Sequence, residues 1–328
     1  MQQAITETAD PAPVARRASR ASGAGDAVFA GLARASGLFV LVLLGAIIVL
    51  LLVGGLAAFR HFGAGFLTNA TWDPVRDIFG GAVPIYGTVV TAALALVLAV
   101  PLAFGIAFFL TELAPSWLSG PVGTAIELLA AIPSIIYGMW GFFVIVPVMA
   151  DYVEPWVQDT LGDVPVLGDL FGGPTFGTGI FTASLILAVM VIPFIAATMR
   201  DVFLTVPVMY KESAYGLGCT TWEVMRSIVL PYTRVSVVGG IMLGLGRALG
   251  ETMAVTFVIG NTNRITASLF GPGNTIASLI ALEFPESPAG SLKLSALLAL
   301  GFVLFVISFV VLAVSRLLLR PRADAAAT

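Results

Sequence analysis

Long uncharged runs of apolar residues constrain the fold of this chain more than any other feature. Crossing the roughly 30 Å hydrocarbon core of a bilayer takes about 20 helical residues. Only 11% of the residues are charged, against about a quarter in soluble domains, and the runs lack the period-two alternation of membrane β-barrels. We therefore predict an all-α polytopic membrane protein with six transmembrane helices. The runs are 35–59, 78–111, 128–150, 170–199, 294–315 and 235–263, the last interrupted only by Arg247 and Glu251.

The boundaries of these runs place the six helices. Pro101 is expected to kink the second, because proline removes a backbone donor and crowds the preceding turn. Pro133, Gly138 and Gly141 weaken the third helix, and such breaks are tolerated at membrane depth where they face protein or a watery cavity. A short helix at 274–283 is expected on the outer face. The predicted spans are 38–59, 85–110, 123–149, 178–199, 235–263 and 293–319.

The distribution of charge predicts the orientation in the membrane. Residues 1–36 carry four arginines, the last thirteen residues carry three, and 200–234 carry three arginines and a lysine. Residues 151–169 carry five acidic side chains and no basic one, and are expected to form an outer loop. Because cytoplasmic segments are rich in Lys and Arg, both termini and 200–234 are predicted to be cytoplasmic. The resulting division is a disordered cytoplasmic tail at 1–36, a membrane domain at 37–320 and a cytoplasmic tail at 321–328.

The residue inventory excludes several kinds of site. The only lysines, Lys211 and Lys293, follow Tyr and Leu, so the chain has no Gly-Lys-Ser/Thr phosphate loop and does not bind ATP by that route. The single histidine, His61, cannot form a two-histidine zinc motif, and no metal site is expected. The spans show no nucleophile–base arrangement or paired aspartates for an intramembrane enzyme. Membrane lipid is the expected environment, and no nucleic-acid partner is predicted.

Arg247 and Glu251 are the charges that need an explanation. On a continuous helix they would be i,i+4 neighbours on one face. A charge near the centre of a bilayer costs from about 2.5 kcal/mol upward, and such residues face the interior of a bundle. The planar guanidinium suits phosphate or carboxylate oxygens. We predict that Arg247 lies on an anion path and that Glu251 holds and neutralises it; a purely structural ion pair between two helices is the alternative.

Hydroxyl groups and glycines accompany this pair. Ser134 and Thr252 are assigned to the same path because their hydroxyls can hydrogen-bond an anion, although packing against the backbone explains Ser134 about as well. The glycines are spaced four apart, in the small-xxx-small pattern that lets helices approach closely. They predict a tight contact with another helix of this chain or of a partner: Gly240 with Gly244, and Gly246 with Gly250.

The predicted cytoplasmic segment "ESAYGLGCTTWEVMRSIVLP" (212–231) reads as a helix–turn–helix. One short helix ends near residue 217, Gly218 breaks it, and a second begins near Thr220, whose spacing to Glu223 fits a capping box. The segment resembles the EAA signature of ABC importer permeases, E-A-A-x3-G-x9-I-x-L-P, with Ser213 in place of the middle alanine. That resemblance implies a coupling loop at about 200–232 in which Glu212, Ser213, Ala214 and Gly218 contact an ATPase subunit.

The stretch "GLGRALGETMAVTFVIGNT" (244–262), with "IPSIIYGMWGFF" (132–143), closely resembles the phosphate-specific importer permeases of the PstC family. The resemblance covers nearly all of the chain from residue 38 onward. It implies the type I, MetI-like permease architecture and a role for Arg247 and Glu251 in phosphate translocation. It also implies a second, PstA-like permease, two PstB-like ATP-binding subunits that carry the ATP and magnesium, and an extracytoplasmic PstS-like phosphate-binding protein.

The resemblance thus predicts a multi-pass subunit of a bacterial inner membrane that transports phosphate while a partner chain hydrolyses ATP; this chain itself is not an enzyme and carries no cofactor. Two alternatives stay open on the sequence. One is a permease for another oxyanion, such as sulfate or molybdate. The other is a membrane subunit that signals phosphate status, or acts as a scaffold, without carrying flux.

Overall fold

The structure of the chain, a computed structural model, describes residues 22–318. These residues are almost entirely helical, apart from a two-stranded antiparallel hairpin that pairs Trp72 with Phe79. Four segments are π-helical: π1 (Phe109–Leu113), π2 (Gly141–Ile145), π3 (Met149–Val153) and π4 (Met225–Val229). The strands are β1 (Trp72–Asp73) and β2 (Ile78–Phe79). The α-helices are α1 (Ser22–Phe62), α2 (Gly65–Thr68), α3 (Ala82–Phe108), α4 (Ser116–Ala130), α5 (Ser134–Trp140), α6 (Val146–Val148), α7 (Glu154–Leu161), α8 (Leu167–Phe171), α9 (Ile180–Leu204), α10 (Val208–Gly216), α11 (Thr221–Val224), α12 (Leu230–Leu249), α13 (Met253–Val258), α14 (Ile276–Glu283) and α15 (Leu292–Leu318).

Six continuous helices within residues 22–318 are long and apolar enough to cross a membrane, which confirms the predicted fold class. They are Gly25–Phe62, Ala82–Leu113, Ser134–Leu161, Ile180–Leu204, Thr221–Leu249 and Leu292–Leu317. Helix α1 already includes residues 22–36, which were expected to belong to a disordered tail; five of these residues are alanine, the best helix former. Residues 1–21 of the first predicted tail, and all of the second at 321–328, lie outside the described residues.

The chain divides into two compact units at residues 49 and 50, and the packing described here lies within the larger unit that follows. At its centre α9 packs along α3. The face of α3 toward α9 is a row of alanines three or four residues apart, each at most 2% exposed: Ala92, Ala95, Ala99, Ala103 and Ala107. Small side chains allow two helix backbones to approach closely, which is how helices gain contact in a bilayer. We call this contact the alanine seam.

Helix α12 packs against the same central helix through glycine. A Cβ on Gly240 would lie 2.8 Å from the side chain of Thr198, and one on Gly244 would lie 2.7 Å from that of Ile195. This pair therefore makes the predicted close contact, and makes it within the chain. Within residues 22–318 the second pair makes no contact with another helix: nothing lies within 4 Å of a Cβ on Gly246, and a Cβ on Gly250 meets only the carbonyl oxygen of Gly246 at 3.7 Å. Its predicted contact with a partner stays a prediction.

The third span differs from the predicted helix at 123–149. The helix breaks at residues 131–133, so that α4 is a separate element and the membrane-length helix runs from Ser134 to Leu161. Pro133 explains the break, since proline disfavours helical geometry in the residue before it and itself starts the next helix well. The first part of the predicted acidic loop is consequently helical, with Asp151, Glu154 and Asp159 on π3 and α7.

The predicted short helix at 274–283 is confirmed as α14, and its first turn is buried. Thr275 and Ser278 form a reciprocal capping box. The amide of Ile276 donates to the Oγ1 of Thr88 on α3 at 2.9 Å. This hydrogen bond fixes the start of α14 against the second span.

Candidate substrate path and coupling segment

The fifth span is broken where the sequence predicted a continuous helix at 235–263. Helix α12 ends at Leu249, α13 begins at Met253, and residues 250–252 are not helical. Gly250 is a poor helix former and occupies the C-cap of α12. Irregular backbone at membrane depth occurs where it is buried in protein or lines a cavity, and discontinuous helices of this kind form binding sites in transporters.

Glu251 caps the second half of this span instead of facing Arg247. Its Oε1 accepts a hydrogen bond from the amide of Ala254 at 3.1 Å. A carboxylate at this position satisfies a free N–H of α13 and interacts favourably with the positive end of the helix dipole. The predicted shared helical face is therefore wrong, because the helix that would create it ends at Leu249. Across residues 22–318, no ion pair within 4.0 Å joins Glu251 to Arg247.

Arg247 lies in the last turn of α12 and is only partly exposed. At 1.5 Å per residue it stands about 20 Å along the helix axis from Arg234. Its Cζ lies 5.8 Å from the centroid of the Phe194 ring, a cation–π contact. The negative end of the α12 dipole also favours a cation here. No carboxylate of the described residues comes within 4.0 Å of Arg247, so its fork of donors is not held by a counterion.

The hydroxyl-bearing residues of the predicted path lie on α5 and at the break. Ser134 is the first residue of α5, and Tyr137 follows one turn later, within electrostatic range of Arg247. The Tyr137 hydroxyl donates to the carbonyl of Leu129 at 3.0 Å. Thr252 Oγ1 donates to the carbonyl of Gly250 at 3.3 Å. Tyr137, one turn into α5, thus lies in the region of Arg247.

Close packing between α5 and α13 fixes these groups relative to one another. A Cβ on Gly138 would lie 2.9 Å from the Cα of Ala254 and 3.2 Å from the carbonyl oxygen of Met253. Glycine at this position allows α5 to contact the backbone of α13 directly. The contact sets the distance between the α5 hydroxyls and the broken segment at 250–252.

The predicted helix–turn–helix is confirmed as α10 followed by α11. Glu212, Ser213 and Ala214 lie on α10, which ends before Gly218. Gly218 has φ +88°, a left-handed conformation that costs other residues energy and glycine almost none. Thr220 then starts α11 with the predicted capping box, in which the amide of Thr220 donates to Glu223 Oε2 at 2.7 Å. The four predicted coupling residues therefore share one short segment.

This segment has an exposed face and a buried face. Glu212 and Ser213 are exposed. Three apolar side chains are exposed as well: Val208 at 65%, Met209 at 74% and Leu217 at 87%. Ala214 is buried. A short helix that presents apolar side chains around a carboxylate is a suitable docking surface for another protein.

Glu112 on π1 and Glu127 on α4 both form ion pairs. The Glu112 side chain is 5% exposed and pairs with Lys211. Glu127, with its side chain 53% exposed, pairs with Arg200 at 3.0 Å. The sequence carried one signal for the Lys211–Glu112 pair: Lys211 is one of only two lysines in the chain.

The chain is similar in sequence to a known family and to known proteins. The family "Binding-protein-dependent transport system inner membrane component" matches residues 99–322. The phosphate transport system permease protein PstC of Pasteurella multocida (strain Pm70) is 59% identical over 86% of this chain and 88% of that protein. The protein of the same description from Haemophilus influenzae is 56% identical over 86% and 89%.

A solved structure shows the fold. The inward-facing MetNI methionine ABC transporter is similar over 76% of this chain and 98% of that one, with a TM-score of 0.53 and 15% identity. The predicted MetI-like importer permease architecture is therefore confirmed.

Proposed function

The chain belongs to the PstC family of phosphate transport system permease proteins, and on that premise we propose that it forms the transmembrane path by which an ATP-driven importer moves inorganic phosphate. The observation that carries the proposal is the identity of 59% with a phosphate permease over 86% of the chain. The family match over residues 99–322 includes the broken fifth span and the coupling segment. Arg247, unpaired with any carboxylate of residues 22–318, supplies the charge that an oxyanion requires.

The assembly we propose has four kinds of subunit. A related permease would complete the membrane path, and two ATP-binding subunits would hold ATP and magnesium, since this chain lacks a phosphate loop. An extracytoplasmic protein would deliver phosphate. The exposed apolar side chains around Glu212 on α10 support docking of the ATP-binding subunit at this helix, with Gly218 allowing the turn that follows. The excess of basic residues at the termini and at 200–234 supports an inner-membrane orientation with both termini cytoplasmic.

In this proposal Arg247 binds phosphate oxygens through charge-assisted hydrogen bonds, for which its planar fork of donors is suited. Ser134, Tyr137 and Thr252 contribute hydroxyl groups beside it. Glu251 keeps the broken segment in shape through its bond to the amide of Ala254. An arginine without a paired carboxylate binds an anion without first releasing that carboxylate, which lowers the barrier to capture.

Uptake of labelled phosphate tests the proposal. Cells that lack their own importer would receive this chain with its partner subunits, with sulfate in excess as competitor. We expect uptake that sulfate leaves unchanged and that Arg247→Gln lowers by about tenfold or more, the factor that corresponds to one hydrogen bond between charged groups. Arg264→Gln is the matched control, since Arg264 is exposed outside the spans and loses the same charge.

Two results would contradict the proposal. Competition by sulfate at equal affinity would assign the path to another oxyanion. Normal uptake by an Arg247→Gln variant that assembles with its partners would remove Arg247 from the path.

A further inference from the structure

The coupling helix α10 packs inward through a charged residue. Lys211 and Ala214 are three residues apart and therefore on one face of the helix. Ala214 is 6% exposed and the Lys211 side chain 14%. Glu212, beside Lys211, points the other way and is exposed. One face of α10 is thus free for a partner protein, while the other is fixed to this chain.

The inward face is fixed by an ion pair with the end of the second span. Lys211 Nζ lies 2.5 Å from the Oε1 of Glu112. Glu112 belongs to π1, which continues α3 without a break to Leu113. A charged pair with so little exposure is stable only while both partners stay together, because separation leaves each charge without water or a counterion. The pair therefore makes α10 and the end of α3 move as one.

Aromatic contacts join the next helix to the same place. The ring of Trp222, on α11, lies 5.9 Å from that of Phe108 and 6.4 Å from that of Phe104, both edge-on. Phe104 also contacts Phe203 of α9 at 6.0 Å. Both helices of the coupling segment are thus attached to the end of the second span: α10 to π1 by charge, and α11 to α3 by aromatic packing.

The last turns of α3 lie between a groove and the alanine seam. The apolar groove, of about 530 Å³, lies toward α4, with Gly105 and Phe109 on one side and Val122 and Ile126 on the other. On another face the alanine seam, which reaches Ala107, holds α3 tightly against α9. A force on the end of α3 is therefore passed to the central pair of helices.

We propose that Lys211 and Glu112 are positioning residues that couple α10 to the second span, so that movement imposed on the coupling helix from outside reaches the α3–α9 pair. This inference rests on the proposed function, in which an ATP-binding subunit supplies that movement. Transport then needs the pair intact, whereas ATP hydrolysis on the partner does not.

Three variants separate the link from simple loss of folding. The neutral variant Lys211→Met with Glu112→Gln removes the link and leaves no unpaired charge buried. The exchanged variant Lys211→Glu with Glu112→Lys restores an ion pair in the opposite sense. The control is Lys293→Met with Glu283→Gln, which neutralises another Lys–Glu pair of this chain, at 3.1 Å, far from α10 in the sequence.

The first measurement is phosphate imported per ATP hydrolysed by the assembled transporter in vesicles. We expect the neutral variant to lower this ratio by about tenfold, the factor for one hydrogen bond between charged groups. The exchanged variant should recover most of the loss, and the control should match the unmodified transporter. An unchanged ratio in the neutral variant, or no recovery on exchange, would overturn the inference.

The second measurement is amide hydrogen exchange of α10, which does not depend on the substrate. We expect exchange about tenfold faster in the neutral variant, by the same reasoning, and restored protection in the exchanged one. If the unmodified transporter imports no phosphate, the proposed function fails, and exchange alone decides the link. Equal protection of the α10 amides from exchange in the unmodified chain and in the neutral variant would overturn the inference that Lys211 and Glu112 couple α10 to the second span.

Discussion

Replacing Gly87 by alanine should separate α14 from the second span. Gly87 lies on α3, where a Cβ would be 2.0 Å from the carbonyl oxygen of Asn274. Close contacts between carbon and a carbonyl oxygen are about 3.3 Å, so the two segments must part by about 1.3 Å. The obstacle is backbone, which cannot swing aside as the end of a side chain can.

The cost follows from what this movement breaks. The neighbouring bond from the amide of Ile276 to Thr88 Oγ1, 2.9 Å long and buried, would become too long to count as a hydrogen bond. Losing a buried hydrogen bond costs about 1–3 kcal/mol, and overpacking of a filled site adds about 1–3 kcal/mol. We expect Gly87→Ala to lower the free energy of unfolding by about 2–6 kcal/mol.

Gly105→Ala is the matched control. It makes the same change in the same helix, at a position where nothing of the described chain lies within 4 Å of the added Cβ. There the change should be neutral or stabilise by up to about 1 kcal/mol, because alanine is the better helix former. Unfolding in mixed detergent micelles, followed by tryptophan fluorescence, measures both. If Gly87→Ala unfolds at the same detergent composition as Gly105→Ala, the reasoning from backbone contact is refuted.

Two further substitutions test local features. At Gly123 an added Cβ would lie 2.6 Å from the guanidinium carbon of Arg200. Because this carbon is at the end of a flexible side chain, Gly123→Ala should change the free energy of unfolding by less than about 1 kcal/mol. A loss as large as that expected for Gly87→Ala would contradict this. Thr220→Ala removes the capping bond to the amide of Glu223 and should cost about 1 kcal/mol, seen as faster amide exchange in α11; unchanged exchange would show that the cap does not hold this helix.

The number and character of the spans could be predicted because the length of an apolar run is a direct consequence of bilayer thickness. Interruptions inside a run are harder to predict. Pro133 did carry a signal, since a residue before proline avoids helical geometry. Gly250 gave little indication of a break, because the chain has 35 glycines and helices in membranes tolerate glycine. What ends the fifth span is the combination of Gly250 with Glu251, whose carboxylate caps α13.

The helix–turn–helix was predictable because its signals are local: the capping box at Thr220 spans three residues, and Gly218 marks the turn. The contacts of the charged residues could not be predicted from the sequence. Lys211 and Glu112 are 99 positions apart, and nothing in either neighbourhood specifies the other. Arg247 likewise rests over Phe194, a contact that only the packing of α12 on α9 creates. The roles assigned to Arg247, Glu251, Thr252 and Ser134 remain predictions.

The alanine seam has a consequence for temperature. Soluble cores form by removing apolar surface from water, and this driving force weakens on cooling because it carries a large heat capacity change. Helices that meet inside a bilayer exchange lipid contacts for helix contacts, and what they gain is dispersion from close approach. On the α3 side the contact with α9 is made of alanine methyl groups that are at most 2% exposed, so it depends little on water. The free energy that holds α3 to α9 should therefore change little on cooling. A soluble core that buries the same apolar area would lose part of its stability.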